Sequence, residues 1–99
     1  MPKELPKVYC AKSQTKFEKA MAIISTRWCV LIVYQLLLGP RRFSEIESAI
    51  HISSRLLTER LKYLEHEGIV KHDWMRYSLT KKGLAMEDTI RNIENWAIN

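Results

Sequence analysis

The apolar positions along the chain change their period several times, and each change marks an element. Between about Ser13 and Ile24, Phe17, Met21 and Ile24 recur at spacings of four and three, which predicts an amphipathic helix. A second, more apolar helix is predicted from about Thr26 to Leu38. Gly39-Pro40 ends it, because glycine suits a helix C-terminus and proline cannot continue one. Ser44 reads as the N-cap of a short third helix, Glu45 to Ile50, with Glu47 completing a capping box. Ser53 opens a fourth helix, running to Glu67, whose Leu57, Leu61 and Leu64 form one narrow stripe; Gly68 ends it. Two short strands follow, Ile69 to His72 and Arg76 to Leu79, joined by a tight link, Asp73-Trp74-Met75, that contains no glycine. Thr80 caps a last helix with Met86, Ile90, Ile93 and Ala97 along one side. Residues 1–9 hold Pro2 and Pro6 among lysines and read as an extended arm.

The order of elements is four helices, two strands and a helix. This predicts a mainly α domain with a short two-stranded β-hairpin, a winged helix-turn-helix. The stretch from Phe43 to Gly68 is its centre: a short helix, a tight turn and a longer helix, of which the second lies in the major groove in such motifs. If Leu57 points inward, helical geometry turns Arg55, Thr58, Glu59, Lys62 and His66 outward and leaves Ser54 at the edge. Arg55 suits a bidentate contact to guanine. Thr58 suits a base edge or a thymine methyl, and Glu59 can accept from cytosine N4. Ser54, Arg55, Thr58 and Glu59 are therefore the candidate base contacts. Ser53, Lys62, Arg41, Arg42, Lys71 and Arg76 are the candidate phosphate contacts. The competing reading of these residues is a solvated polar face.

Charge sharpens the picture. The chain has 99 residues, 16 Lys and Arg against 11 Asp and Glu, and a net charge of +5. Lys81, Lys82 and Arg91 cancel Glu87, Asp88 and Glu94, so the whole excess lies before residue 81. A basic body with a neutral tail suits one face that meets a polyanion and a last segment with another task. A length of 99 residues allows one domain, whose stability is marginal or is raised by a partner subunit. No apolar run is long enough for a bilayer, and the N-terminus lacks the apolar stretch of a secretory signal, so a cytoplasmic location is expected.

Several residues together resemble the HxlR family of winged-helix regulators, relatives of the MarR proteins. They are Cys10, Arg27-Trp28, Arg42-Phe43, Ile52-Ser53, then Leu57, Thr58, Leu61 and Leu64, Glu67-Gly68, Tyr77-Ser78-Leu79-Thr80, Gly83 and Trp96. The resemblance covers about residues 8–97. It implies transcriptional regulators, commonly repressors, that bind double-stranded operator DNA as symmetric homodimers. It also implies a single domain over residues 1–99 whose N-terminal arm (1–12) and C-terminal helix (81–98) build the dimer interface. A twofold dimer would set two recognition helices roughly 34 Å apart on a pseudo-palindromic site. Two features depart from the family. The segment from Ile69 to Arg76 is several residues short, which predicts a wing with little to do in the minor groove, and the opening Ser25-Thr26-Arg27-Trp28 replaces more usual glycines and a lysine.

Cys10 stands where some members of that family sense oxidants or electrophiles, and Lys7 and Lys12 nearby favour its thiolate. It is the candidate redox sensor. Its competing role is packing against a dimer partner, and no resolving cysteine is evident. Cys29, in an apolar helix, reads as a small core residue. Trp28 and Trp96 read as packing residues, whereas an exposed Trp74 at the hairpin tip would suggest a contact with DNA or protein. His51, His66 and His72 show no metal-ligand spacing, and no cofactor is expected. With three glycines, no phosphate-cradling loop and no nucleophile–base set, an enzyme is disfavoured. The remaining competitor is a winged-helix module that docks protein without specific DNA binding. Arg41, Arg42, Arg55, Lys62, Lys71 and Arg76 on one face argue against it.

Overall fold

Three side-chain hydroxyls start helices in this chain, and their positions fix much of the layout. The structure is a computed structural model that describes residues 15–98; Cys10 and the predicted arm (1–12) lie outside them. Thr15 caps α1 (Lys16–Ile24). Its Oγ1 accepts from the Glu18 amide at 3.1 Å, while the Glu18 carboxylate accepts from the Thr15 amide at 2.9 Å. Ser53 caps α4 (Ser54–His66), accepting from the Leu56 amide at 3.2 Å. Thr80 caps α5 (Lys81–Leu84), accepting from the Gly83 amide at 3.1 Å and donating back to the carbonyl of Gly68.

Between these lie α2 (Arg27–Leu36), β1 (Arg41–Arg42), α3 (Phe43–Ile50), β2 (Val70–Asp73) and β3 (Arg76–Leu79), with α6 (Met86–Ile98) last. The most apolar helix, α2, sits at the centre. It buries Cys29, Ile32, Val33 and Leu36 and is packed by α1, α3, α4 and β3. The Leu57, Leu61 and Leu64 stripe of α4 is buried as predicted, with Ile46 of α3 and Ile52 of the turn beside it. Each such side chain contributes about 2 kcal/mol by leaving water.

Four expectations change. The hairpin gains a third strand: β1 pairs with the free edge of β3, giving a three-stranded antiparallel sheet in the order β1-β3-β2. That pairing holds Arg42 extended, so α3 begins at Phe43, with Arg42 as its N-cap in place of Ser44. Glu45, in place of Glu47, accepts from the cap amide at 2.8 Å. The last helix is divided at Ala85 into α5 and α6. Trp96 does not pack against the described residues: it is 80% exposed, and of the α6 stripe Ile90 is buried while Ile93 emerges.

The break after α4 depends on two glycines. Gly68 has φ of +76°, the left-handed region that an L side chain enters at a cost on the order of 1–2 kcal/mol. Gly83 has no such φ, but a Cβ there would meet the carbonyl oxygen of Ile69 and lie 3.0 Å from the Leu79 side chain. Gly83→Ala is therefore expected to lower stability by about 1–3 kcal/mol, read as a lower urea midpoint. An unchanged midpoint would mean that α5 and the Ile69 segment are not held in this contact.

Candidate nucleic-acid interface

Burial of one side of α4 decides what its other side presents. With Leu57, Leu61 and Leu64 against the core, Ser54, Arg55, Thr58, Glu59, Lys62 and His66 are all exposed. The turn before them is tight because His51 closes α3 with φ of +54° and Ile52 is buried, so α4 leaves at a fixed angle. The Ser54 hydroxyl donates to the Glu47 carboxylate and ties the start of α4 to α3. Ser54 is thus engaged within the motif, and Glu47 acts as a brace between the two helices, not as the capping-box partner of Ser44 that the sequence suggested. The Thr58 hydroxyl donates to the Ser54 carbonyl at 2.9 Å, which leaves its lone pairs and its methyl group facing out.

Arg55 and Glu59 approach to 3.7 Å, with side chains 89% and 53% exposed. An ion pair this open contributes little, typically below about 1 kcal/mol. It holds the guanidinium loosely and leaves it free to turn outward. Lys62, one turn further on, forms no such pair among the described residues.

The sheet supplies a second basic group. Its register pairs Arg42 with Arg76 and Arg76 with Asp73, while Lys71 pairs with Ser78. Because side chains alternate along strands, Arg42, Lys71 and Arg76 share the outward face with one acid, Asp73. The other row carries Arg41, Tyr77 and His72 together with the buried Val70 and Leu79, so, contrary to expectation, Arg41 does not share one face with Arg42, Lys71 and Arg76; the His72 and Tyr77 rings stack at 4.0 Å between centroids. Burial pushes the Tyr77 phenol up. The hydrogen bond from the Arg42 amide holds the Glu45 carboxyl below its usual range, and the positive charges of Arg41, Arg76 and Arg42 add to that effect. Glu45 thus belongs to the site, although its place in the sequence marks only the start of α3. Three arginines gathered around one acid still leave a local excess of positive charge.

The candidate contacts therefore fall into two groups. Ser53, Ser54, Arg55, Thr58, Glu59 and Lys62 lie on or at the start of α4; Arg41, Arg42, Lys71 and Arg76 lie on the sheet. Cys29 is fully buried, and that burial pushes its thiol up, away from the thiolate. Cys10 lies outside the described residues. Among the described residues, no group of three His, Cys, Asp or Glu is arranged to hold a metal ion, and no single helix is long and apolar enough to cross a membrane.

Residues 23–99 match the family described as HxlR-like helix-turn-helix. The chain is 51% identical over 90 residues to the HTH-type transcriptional regulator YvaP of Bacillus subtilis, covering 83% of each chain. Its structure superposes on that of quinone-bound YodB from B. subtilis with a TM-score of 0.81 at 40% identity, covering 85% of this chain and 96% of the other. A MarR-family transcriptional regulator from Enterococcus faecalis gives a TM-score of 0.75 at 26% identity, covering 86% and 87%.

Proposed function

The chain belongs to the HxlR-like helix-turn-helix family of transcriptional regulators, and from that premise we propose that it binds specific operator DNA as a homodimer, with α4 in the major groove, and represses transcription by occupying the site. The observation that carries this reading is the outward face of α4, polar and preorganised by a buried leucine stripe, next to a sheet face bearing Arg42, Lys71 and Arg76. Arg55, Thr58 and Glu59 read bases, and Ser54 helps to hold the first turn to them. Ser53, Lys62, Arg42, Lys71 and Arg76 grip phosphates, while Arg41, on the opposite row of the sheet, adds positive charge from behind. The setting is the cytoplasm. A protein-docking module would have little use for so many cations on these two surfaces.

Two exposed apolar faces support the homodimer. Phe17 is 71% exposed on α1, and Ile93, Trp96 and Ile98 are exposed on α6. A shallow groove of about 250 Å³ between α2 and α6, lined by Val30, Leu31, Tyr34, Ile90 and Ile93, continues the second face. Large apolar side chains grouped in this way mark an interaction surface. A second copy presenting the same helices across a twofold axis covers them. The C-terminal part of the interface is therefore α6, with α1 and the segment before it as the N-terminal part.

Cys10 is the proposed redox-responsive residue. It gains support from the quinone bound to the YodB relative and from Cys29, whose burial leaves it unreactive.

Arg55→Ala is expected to weaken binding by about 1–3 kcal/mol and to relax specificity at one base position. Lys62→Ala or Arg42→Ala is expected to weaken binding to all duplexes and to reduce the slope of log K against log salt by about 0.9 for each phosphate no longer neutralised. Titrations over a range of salt separate the two classes, and slopes equal to wild type would show that Lys62 and Arg42 do not touch phosphate. Diamide is expected to abolish DNA binding by the wild type and to spare Cys10→Ser; an equal response of both proteins would take the sensor role from Cys10.

A further inference from the structure

The wing is short, yet its tip is made of two large apolar side chains. Strands β2 and β3 pair from Val70 and Leu79, which are buried, out to Asp73 and Arg76, and close over Trp74 and Met75 alone. Trp74 is 72% exposed and Met75 57%. Trp74 has φ of +61°, while Met75 keeps a negative φ. That pattern matches the hairpin turn whose first central residue is normally glycine. A bulky aromatic residue in this conformation is a genuine outlier, so the chain keeps its largest side chain where glycine would be free of strain. The surroundings of the tip identify its partner. Lys71, Arg76 and Arg42 stand on the outward face of the same sheet, with Asp73 as the one acid. The Tyr77–His72 stack stiffens the row behind them. An apolar tip on a cationic, braced hairpin complements a groove edged with phosphates.

We propose that Trp74 and Met75 form a wedge that enters the minor groove of the operator beside the major groove occupied by α4, packs on sugars and base edges, and opens a base step. The proposal rests on the DNA-binding reading above and adds a requirement on the DNA. Apolar wedges in the minor groove act by partly unstacking one step and bending the duplex, with the cost offset by extra contact. Pyrimidine–purine steps yield most readily. The operator therefore carries a TA or CA/TG step under each wing, a preference set by deformability and not by hydrogen bonds. Specificity then arises from two separate sources: α4 reads base edges, and the wing reads flexibility.

The test uses the full chain and the duplex that the wild-type protein enriches from a random library, labelled at both ends for energy transfer. The wild type is expected to shorten the end-to-end distance on binding. The Trp74→Ala, Met75→Ala double variant is expected to lose that bend and about tenfold in affinity, since removing one stacked aromatic costs about that much. Its salt slope should stay unchanged, because no charge is removed. Trp74→Gly relieves the left-handed backbone, so its melting temperature should be no lower than that of the wild type while its bend is lost, which separates loss of the wedge from loss of folding. A double variant that bends the duplex and binds it like the wild type overturns the wedge and leaves the reading of α4 intact. Failure of the wild type to enrich any duplex overturns both, and the tip then belongs to a protein partner.

Discussion

The burial of Leu57, Leu61 and Leu64 against α2 is the contact on which the rest depends. A helix can rotate about its axis at small cost unless one side is committed, and three fully desolvated leucines commit α4 completely. Losing any one would leave a cavity worth about 2–5 kcal/mol. That commitment turns Arg55, Thr58, Glu59 and Lys62 to the outside. The buried Ile52 and the Ser53 cap then fix where the helix begins, and the Ser54–Glu47 bond holds its first turn to α3. The outward polar face of α4, the proposed recognition surface, is thus a by-product of core packing. Its side chains need no rigidity of their own, and the loose Arg55–Glu59 pair shows that they have little.

The sheet extends the same logic to charge. Pairing of β1 with β3 brings Arg41 and Arg42, far apart in sequence from Arg76, into register with Tyr77 and Arg76. Like charges facing each other across a ladder oppose folding, and Glu45 partly offsets this by accepting from the Arg42 amide among three arginines. Binding of a polyanion, as proposed, would relieve the remaining repulsion. The other end of the molecule is built differently. There α6 commits Ile90 to the core and leaves Ile93, Trp96 and Ile98 exposed, while the Tyr34 hydroxyl donates to Glu94 at 3.1 Å and secures the helix against α2.

Most of the fold was legible because its signals are local. The leucine stripe, the Gly39-Pro40 stop, the Ser53 and Thr80 caps and the two short strands each lie within a few residues of the feature they specify. What stayed hidden depends on pairing across the chain. Nothing near Arg41-Arg42 marks a strand, since it becomes one only at the edge of β3, and the true cap of α3 follows from that pairing. For this reason Ser44 and Glu47 looked like a capping box when Arg42 and Glu45 form the working half of one. The stripe of Met86, Ile90, Ile93 and Ala97 was legible, but it is buried only at Ile90 while Ile93 emerges, because periodicity reports that a face is apolar but not what covers it. The outward residues of α4 followed directly from the stripe. The exposed Trp74 at the tip of the wing was legible too; the gathering of arginines around Glu45 was not.

The most direct test of specific recognition by α4 is selection of bound sequences from a random duplex library by the purified protein under reducing conditions. Enrichment of an inverted repeat is expected, with half-site centres roughly 10 base pairs apart, one helical turn, as two α4 helices on a twofold dimer require. Recovery of no motif, with binding that depends on salt alone, would contradict it: the outward face of α4 would then be a solvated surface or a protein-docking site, and not a reader of bases.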